Sequence, residues 1–332
     1  MAFGFVFFGF FIFNLSKAVH FSNELVFHDD EFQHTHLAWN TFQGKVIYRD
    51  FFDSHGPLSA FFNSLLFKLK AGEVASVETL YFLRHVNLIA MGVTALFLFG
   101  CIYVLTKNVV WGFLAMALYT GTLSIKTSAF QIRPDGYVAL FALGSLWLWL
   151  TRRRFLSGIF LGICLGFHPK FLPINLAVLA ADFFILTKRK REGSVFTLLL
   201  GEFIVLGVIS LWFLQKGAFQ LAVEGQWVSN FERAYSAVII KKDYFRLLRA
   251  NRGFETGLFV FCVLNLIVIL KQAFSKKNIS FDSDILMSSI FSGAGLLFLF
   301  APVWGHAVIF VVPISLVVFI ALCGRVVGTN QS

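Results

Sequence analysis

Charge is scarce in this chain. Asp, Glu, Lys and Arg make up 14% of its residues, against about a quarter in soluble domains. A water-soluble domain needs ionised groups to cover its surface, so the shortage excludes that class. Cysteine is also sparse: Cys101, Cys164, Cys262 and Cys323 are scattered through apolar stretches. Their spacing excludes a thiolate metal framework, and they read as small buried hydrophobes. No internal repeat or low-complexity segment breaks the chain, and no stretch has the composition of a separate soluble domain.

Apolar residues fill the deficit. They make up 58% of the 332 residues, 44 of them Phe, and the mean hydropathy is +0.76. The excess needs a solvent other than water, and lipid is that solvent. Apolar runs at 1–15, 81–105, 109–125, 136–151, 155–168, 171–187, 195–215, 254–270, 285–301 and 303–323 predict an all-α integral membrane protein. They give a bundle of about ten transmembrane helices forming one domain over 1–332, since a span needs about 20 apolar residues. The N-terminal run lacks a basic leader and a small-residue cleavage site, so it is expected to be a retained span.

The formal charge of +10 would suggest nucleic acid in a soluble protein. Here Arg152-Arg153-Arg154, Lys188-Arg189-Lys190-Arg191 and Lys271 with Lys276-Lys277 each follow an apolar run. That is the positive-inside pattern of cytoplasmic loops, and no nucleic-acid partner is expected. With Lys107 and Arg325 placed inside too, the spans alternate and the N-terminus is cytoplasmic. The segments 16–80, 124–135 and 216–253, with turns at 168–170 and 303–306, then share the outer side.

Polar chemistry gathers on that side. In the outer loop 16–80, residues 31–43 and 58–69 read as amphipathic helices suited to the membrane interface. Gly44 and Gly56-Pro57 break them, with Pro57 fitted to a first helical turn. His28-Asp29-Asp30-Glu31 opens the first of these helices. Three adjacent carboxylates there are either a solvated helix N-terminus or a general base or divalent-cation site. Asp30 and His34 lie one turn apart, so His34 joins Asp30 as a candidate metal ligand, with His36 beside it.

Asp53-Ser54-His55-Gly56-Pro57 is a turn in which Asp53 or Ser54 can cap the next helix. Gln131-Ile132-Arg133-Pro134-Asp135 enters a span from outside. Ionisable groups at membrane depth are functional candidates by default, although an Arg and an Asp there can also snorkel or pair harmlessly. His168-Pro169-Lys170 adds another cation. In the loop 216–253, Lys242, Arg246 and Arg249 recur at helical spacing beside Lys241. Such a cationic face suits a phosphate or a lipid headgroup. Gly158, Gly162 and Gly166 form a small-residue stripe for close helix packing.

These landmarks, in this order, resemble the GT-C superfamily of membrane glycosyltransferases, in particular bacterial relatives of protein mannosyltransferases and aminoarabinose transferases. The resemblance rests on Asp30-Glu31-Phe32-Gln33-His34, on 43–52, on His55-Gly56-Pro57-Leu58, on Arg133-Pro134-Asp135, and on 157–166 leading to Lys170. It covers about residues 25–175. Many relatives carry Pro-Pro-Leu where this chain has Gly56-Pro57-Leu58.

The resemblance implies an inverting enzyme that moves a sugar from a polyprenyl-phosphate carrier to a glycan, lipid or protein acceptor. Its site would face the periplasm from a bacterial inner membrane, among membrane lipids. Asp30 would be the base, supported by Glu31 or Asp29. His55, Arg133, Asp135, Lys170, Lys241, Lys242, Arg246 and Arg249 would bind substrate. A divalent cation, Mg or Mn, would be held by candidates among Asp30, Asp135 and His34. A non-catalytic membrane partner, a lipid flippase or a transporter are the competing classes.

Overall fold

The computed structural model describes residues 2–70, 76–189, 195–232, 283–300 and 308–329, with residue 267. The described chain is all-helical, and its single extended pairing is an isolated bridge between Ile47 and Phe51. The apolar run at 254–270 apart from residue 267, the first residues (303–307) of the run at 303–323, and the cationic residues Lys241, Lys242, Arg246 and Arg249 lie outside the described residues.

Helix α1 is Ala2–Glu24, α2 Asp29–Phe42, α3 Pro57–Lys70 and α4 Val77–Thr106. The chain continues through α5 Val109–Gly121, α6 Leu123–Ser128, α7 Pro134–Leu150, α8 Arg154–Phe167, α9 Leu172–Arg189 and α10 Val195–Gln215. After the short α11, Phe219–Val223, come α12 Ser283–Phe300 and α13 Val308–Thr329. The two helices expected at 31–43 and 58–69 are α2 and α3, and they pack on each other.

Among the described residues, four helical segments are long and apolar enough to cross a membrane: Phe3–Glu24, Val77–Thr106, Pro169–Leu186 and Val195–Gln215. Val109–Gly121, Arg154–Phe167 and Val312–Gly324 are apolar but shorter. The exposed faces of α1 and α10 carry Phe3, Phe5, Phe196, Phe203 and Leu211. A contiguous greasy surface of that kind matches hydrocarbon better than water. The long apolar helices are thus compatible with a membrane protein.

The first helix runs past the end of its apolar run at residue 15 and reaches Glu24. Within its polar second half Ser16 and Ser22 turn their hydroxyls back onto the Phe13 and Val19 carbonyls, so those polar groups are satisfied without leaving the helix. Lys17 lies over the Phe13 ring at 5.6 Å. The first polar segment therefore begins near residue 25, not at 16.

The glycine stripe is packing. A Cβ at Gly158 would overlap the Leu198 carbonyl, and one at Gly201 would overlap that of Phe155, so α8 and α10 touch backbone to backbone. Beside α8, helices α7 and α4 complete the centre, and α13 packs on both α4 and α7. At the far end of α7, Arg152 holds Asp284 of α12 through two bonds of 3.0 and 2.9 Å. Near that end, Asp182 accepts the Trp149 indole N–H at 2.8 Å and faces Arg154 at 3.5 Å.

Candidate functional site

At the opposite end of α7, three separate stretches converge. Helix α2 opens with a capping box. His28 Nδ1 accepts the Asp30 N–H, and Glu31 accepts the His28 N–H at 2.9 Å. Asp29, Asp30 and Glu31 fill the first turn, where carboxylates complement the helix dipole. The capping reading of this cluster is therefore correct as far as it goes, but the three acids then part ways.

Glu31 is fully buried. Its two oxygens accept from Arg84 Nε at 2.8 Å and Nη2 at 2.7 Å, and Oε1 also accepts the Ile132 N–H at 3.2 Å. Arg84, equally buried in α4, donates on to the Ser22, Leu25 and Val26 carbonyls and stacks over Phe27. With both oxygens bonded, Glu31 has no free valence for a reacting proton. The supporting base role expected for it gives way to a clamp joining the α1–α2 turn, α4 and the segment before α7. Asp29 is exposed on the opposite side of the turn.

Asp30 is half-buried, and its carboxylate meets Arg133 Nη1 at 2.6 Å, as an ion pair without linear hydrogen-bond geometry. Arg133 precedes Pro134 and is extended, with φ −145° and ψ 152°, as the proline ring requires of its predecessor. Pro134 opens α7, and Asp135 follows it in the first turn. Its carboxylate stands 3.3 Å from Arg133 Nε. One guanidinium therefore bridges two carboxylates that lie about a hundred residues apart in sequence.

Three imidazoles adjoin this bridge. His55 stacks edge to face on His34, with centroids 4.7 Å apart, and on His168 at 5.3 Å. Asp53 Oδ1, fully buried, lies 2.9 Å from His55 Nδ1 and also accepts the His55 backbone N–H at 3.0 Å. The turn is held from several sides. Tyr48, at φ 69° in the left-handed region, donates its hydroxyl to the His55 carbonyl at 2.5 Å. Asn230 donates to the Ser54 carbonyl at 2.7 Å, and the Gly56 N–H donates to the Phe167 carbonyl at 3.0 Å. A Cβ on Gly56 would overlap the Gly166 carbonyl. That contact explains why a Pro-Pro pair does not fit this turn.

Burial sets the charge states. His34 is held down at about 3 by burial first and then by His55 and Arg133, against the pull of Asp53 and Asp135. His168 is pushed well below its ordinary range by burial, then by His55, Lys170 and His34, against the pull of Asp135. For Asp53, burial alone would raise the carboxyl. The bonds from His55 and the charges of His55 and His34 outweigh it and hold it below the usual carboxylate range. Among the described residues, His34 Nδ1 and Asp53 Oδ2 have no hydrogen-bond partner.

Asp30, Arg133, Asp135 and His34 thus sit in one nest with His55, and Lys170 is close enough for its charge to act on His168. The sequence reading took Asp53 only for a cap, and it missed Arg84 altogether. A lone arginine near the start of a long apolar run was the available signal. Among the described residues, no group of three or more His, Cys, Asp or Glu side chains is set to hold a metal ion. Of the metal candidates, Asp30 and Asp135 both face the Arg133 guanidinium, and His34 lies near them.

Beside the nest, an apolar groove of about 640 Å³ runs between α3, α4, α7, α8 and α10. Leu58, Phe61, Val93, Phe141, Phe167 and Val208 line it. Leu58 lies three residues beyond His55, and Phe167 directly precedes His168. No protein-family model, curated protein or solved structure matches the chain.

Proposed function

We infer that the chain is an inverting membrane glycosyltransferase of the GT-C type, built from about ten spans, that uses a polyprenyl-phosphate sugar donor. The observation that carries this reading is the Asp30–Arg133–Asp135 bridge, in which residues from two distant segments meet at one end of the bundle beside an apolar groove. The positive-inside pattern supports an outward orientation for that end, and the GT-C resemblance supports the periplasmic side of a bacterial inner membrane.

Transfer from a lipid phosphate needs two things of the protein. The acceptor hydroxyl or amide must lose a proton as it attacks the anomeric carbon. Asp30 is the carboxylate for this: it is half-buried, reachable and oriented by Arg133. The departing phosphate gathers negative charge, which fixed cations stabilise in a site screened from water. Lys170, whose charge acts on His168, is the cation for this role, and the isoprenoid chain of the carrier is assigned to the groove. Asp135 braces Arg133 from its far side, and Glu31 fixes the N-terminus of α2 through Arg84. Arg133 offsets part of the charge of the two carboxylates. The acceptor is a glycan, a lipid or a protein.

The test is transfer of radiolabelled sugar by purified protein from polyprenyl-phosphate donors. The reading expects inversion at the anomeric carbon. Retained configuration, or movement of the lipid across sealed vesicles with no new glycosidic bond, contradicts it.

A further inference from the structure

Asp53 and His55 have no part in the chemistry described so far, and their geometry is that of an acid–base pair. A buried carboxylate stands behind an imidazole whose side chain keeps 19% exposure. Because Asp53 is held ionised, it can only accept, so His55 Nδ1 must carry the proton in their 2.9 Å bond. This fixes the ring and leaves Nε2 as its working nitrogen, the role a carboxylate plays behind a catalytic histidine elsewhere.

Position assigns the direction of proton transfer. His55 lies three residues before Leu58 of the groove lining, stacks on His168, whose neighbour Phe167 also lines the groove, and stacks on His34, one helical turn along α2 from Asp30. A carrier whose tail fills the groove brings its phosphate first to His55, with Asp30 beyond on the acceptor side. The charged and titratable groups around His55 are Asp53 on its own turn, His34 from α2, His168 and Lys170 from the α8–α9 turn, and Arg133 and Asp135 at the start of α7. His34 and His168 are kept neutral by burial, so neither is a proton donor.

We propose that His55, positioned by Asp53, is the general acid that protonates the departing carrier phosphate. This rests on the transferase reading. The bond between the anomeric carbon and the phosphate oxygen breaks, and its electron pair stays with that oxygen, which takes the proton from His55 Nε2. The acceptor oxygen bonds to the anomeric carbon and yields its own proton to Asp30. His55 is left neutral with its Nδ1–H on Asp53, and solvent restores the proton.

The experiment uses the full chain in nanodiscs of phosphatidylethanolamine and phosphatidylglycerol, with decaprenyl phosphate bearing mannose, glucose or arabinose as donors. His55→Gln is expected to lower kcat by about 10²–10⁴-fold, with KM and the thermal midpoint held. Asp53→Asn should lower kcat with KM held, because the ring loses the carboxylate that fixes its Nδ1–H. In His55→Gly, added imidazole should restore transfer, which a structural role would not allow. A His55→Gln enzyme that keeps the wild-type rate overturns the proposal, as does failure of imidazole to rescue a folded His55→Gly. If the wild type transfers nothing from any donor, the transferase reading itself falls, and that result is distinct from an active wild type with a silent His55 variant.

Discussion

Glu31 and Asp30 are neighbours in one helical turn, and each faces an arginine delivered by a distant stretch. Glu31 and Arg84 are both fully buried and make two bonds to each other, and Arg84 spends its remaining donors on three carbonyls. Asp30 keeps about a third of its surface, touches Arg133 once, and leaves that guanidinium shared with Asp135. The same two residue types therefore serve two ends. A pair with every valence filled holds segments together. A pair with valence left over, beside His34 Nδ1 and Asp53 Oδ2 without partners, can accept a substrate.

The largest effect that separates the two pairs is on folding. Glu31→Ala strands the buried Arg84 charge and should cost about 3–5 kcal/mol, read as a lower thermal midpoint in detergent. Arg84→Ala should do the same from the other side. Restoring much of the loss in a double variant, Glu31→Gln with Arg84→Met, would sharpen the clamp role.

Next comes the turn that delivers His55 to the nest. Gly56→Pro removes the N–H that bonds Phe167 and forces ring atoms onto the Gly166 carbonyl. An overpacked site of this kind costs about 1–3 kcal/mol, and transfer should fall with it.

Acid should weaken the open nest in a known direction. His34 titrates near 6.5 in the unfolded chain but is held at about 3 when folded. The unfolded state then binds the extra proton, so stability falls as pH drops below about 6.5 and keeps falling toward about 3. Asp53, also depressed, adds to the loss lower in the carboxylate range. Thermal midpoints taken from pH 7 to pH 4 should fall less steeply in His34→Gln. An equal slope would mean that other groups carry the acid response.

The smallest stability effect is expected at Asp30 itself. A partly exposed pair contributes about 0–1 kcal/mol, so Asp30→Asn should melt close to wild type.

Helices were legible wherever hydrophobicity was continuous. The run at 195–215 coincides with α10, and 136–151 with α7 to within two residues. The end of α1 was not, because Ser16, Lys17, His20 and Ser22 look like a loop, and only the structure shows Ser16 and Ser22 bonding back to the preceding turn. In the site, Asp30, Arg133, Asp135 and His55 could be picked out as ionisable groups near apolar boundaries. Their mutual order could not, since it depends on a turn closed by Gly56 and Tyr48. Nor could the split between Asp30 and Glu31, because burial of one and exposure of the other is decided by Arg84, which lies 53 residues from Glu31.

That split also supplies the most direct test. Purified Asp30→Asn and wild type are compared for single-turnover sugar transfer and for thermal midpoint in the same preparation. Loss of transfer by about 10²–10⁴-fold with the midpoint nearly unchanged is the predicted result. Transfer at the wild-type rate by the folded variant would contradict the assignment of Asp30 as the base.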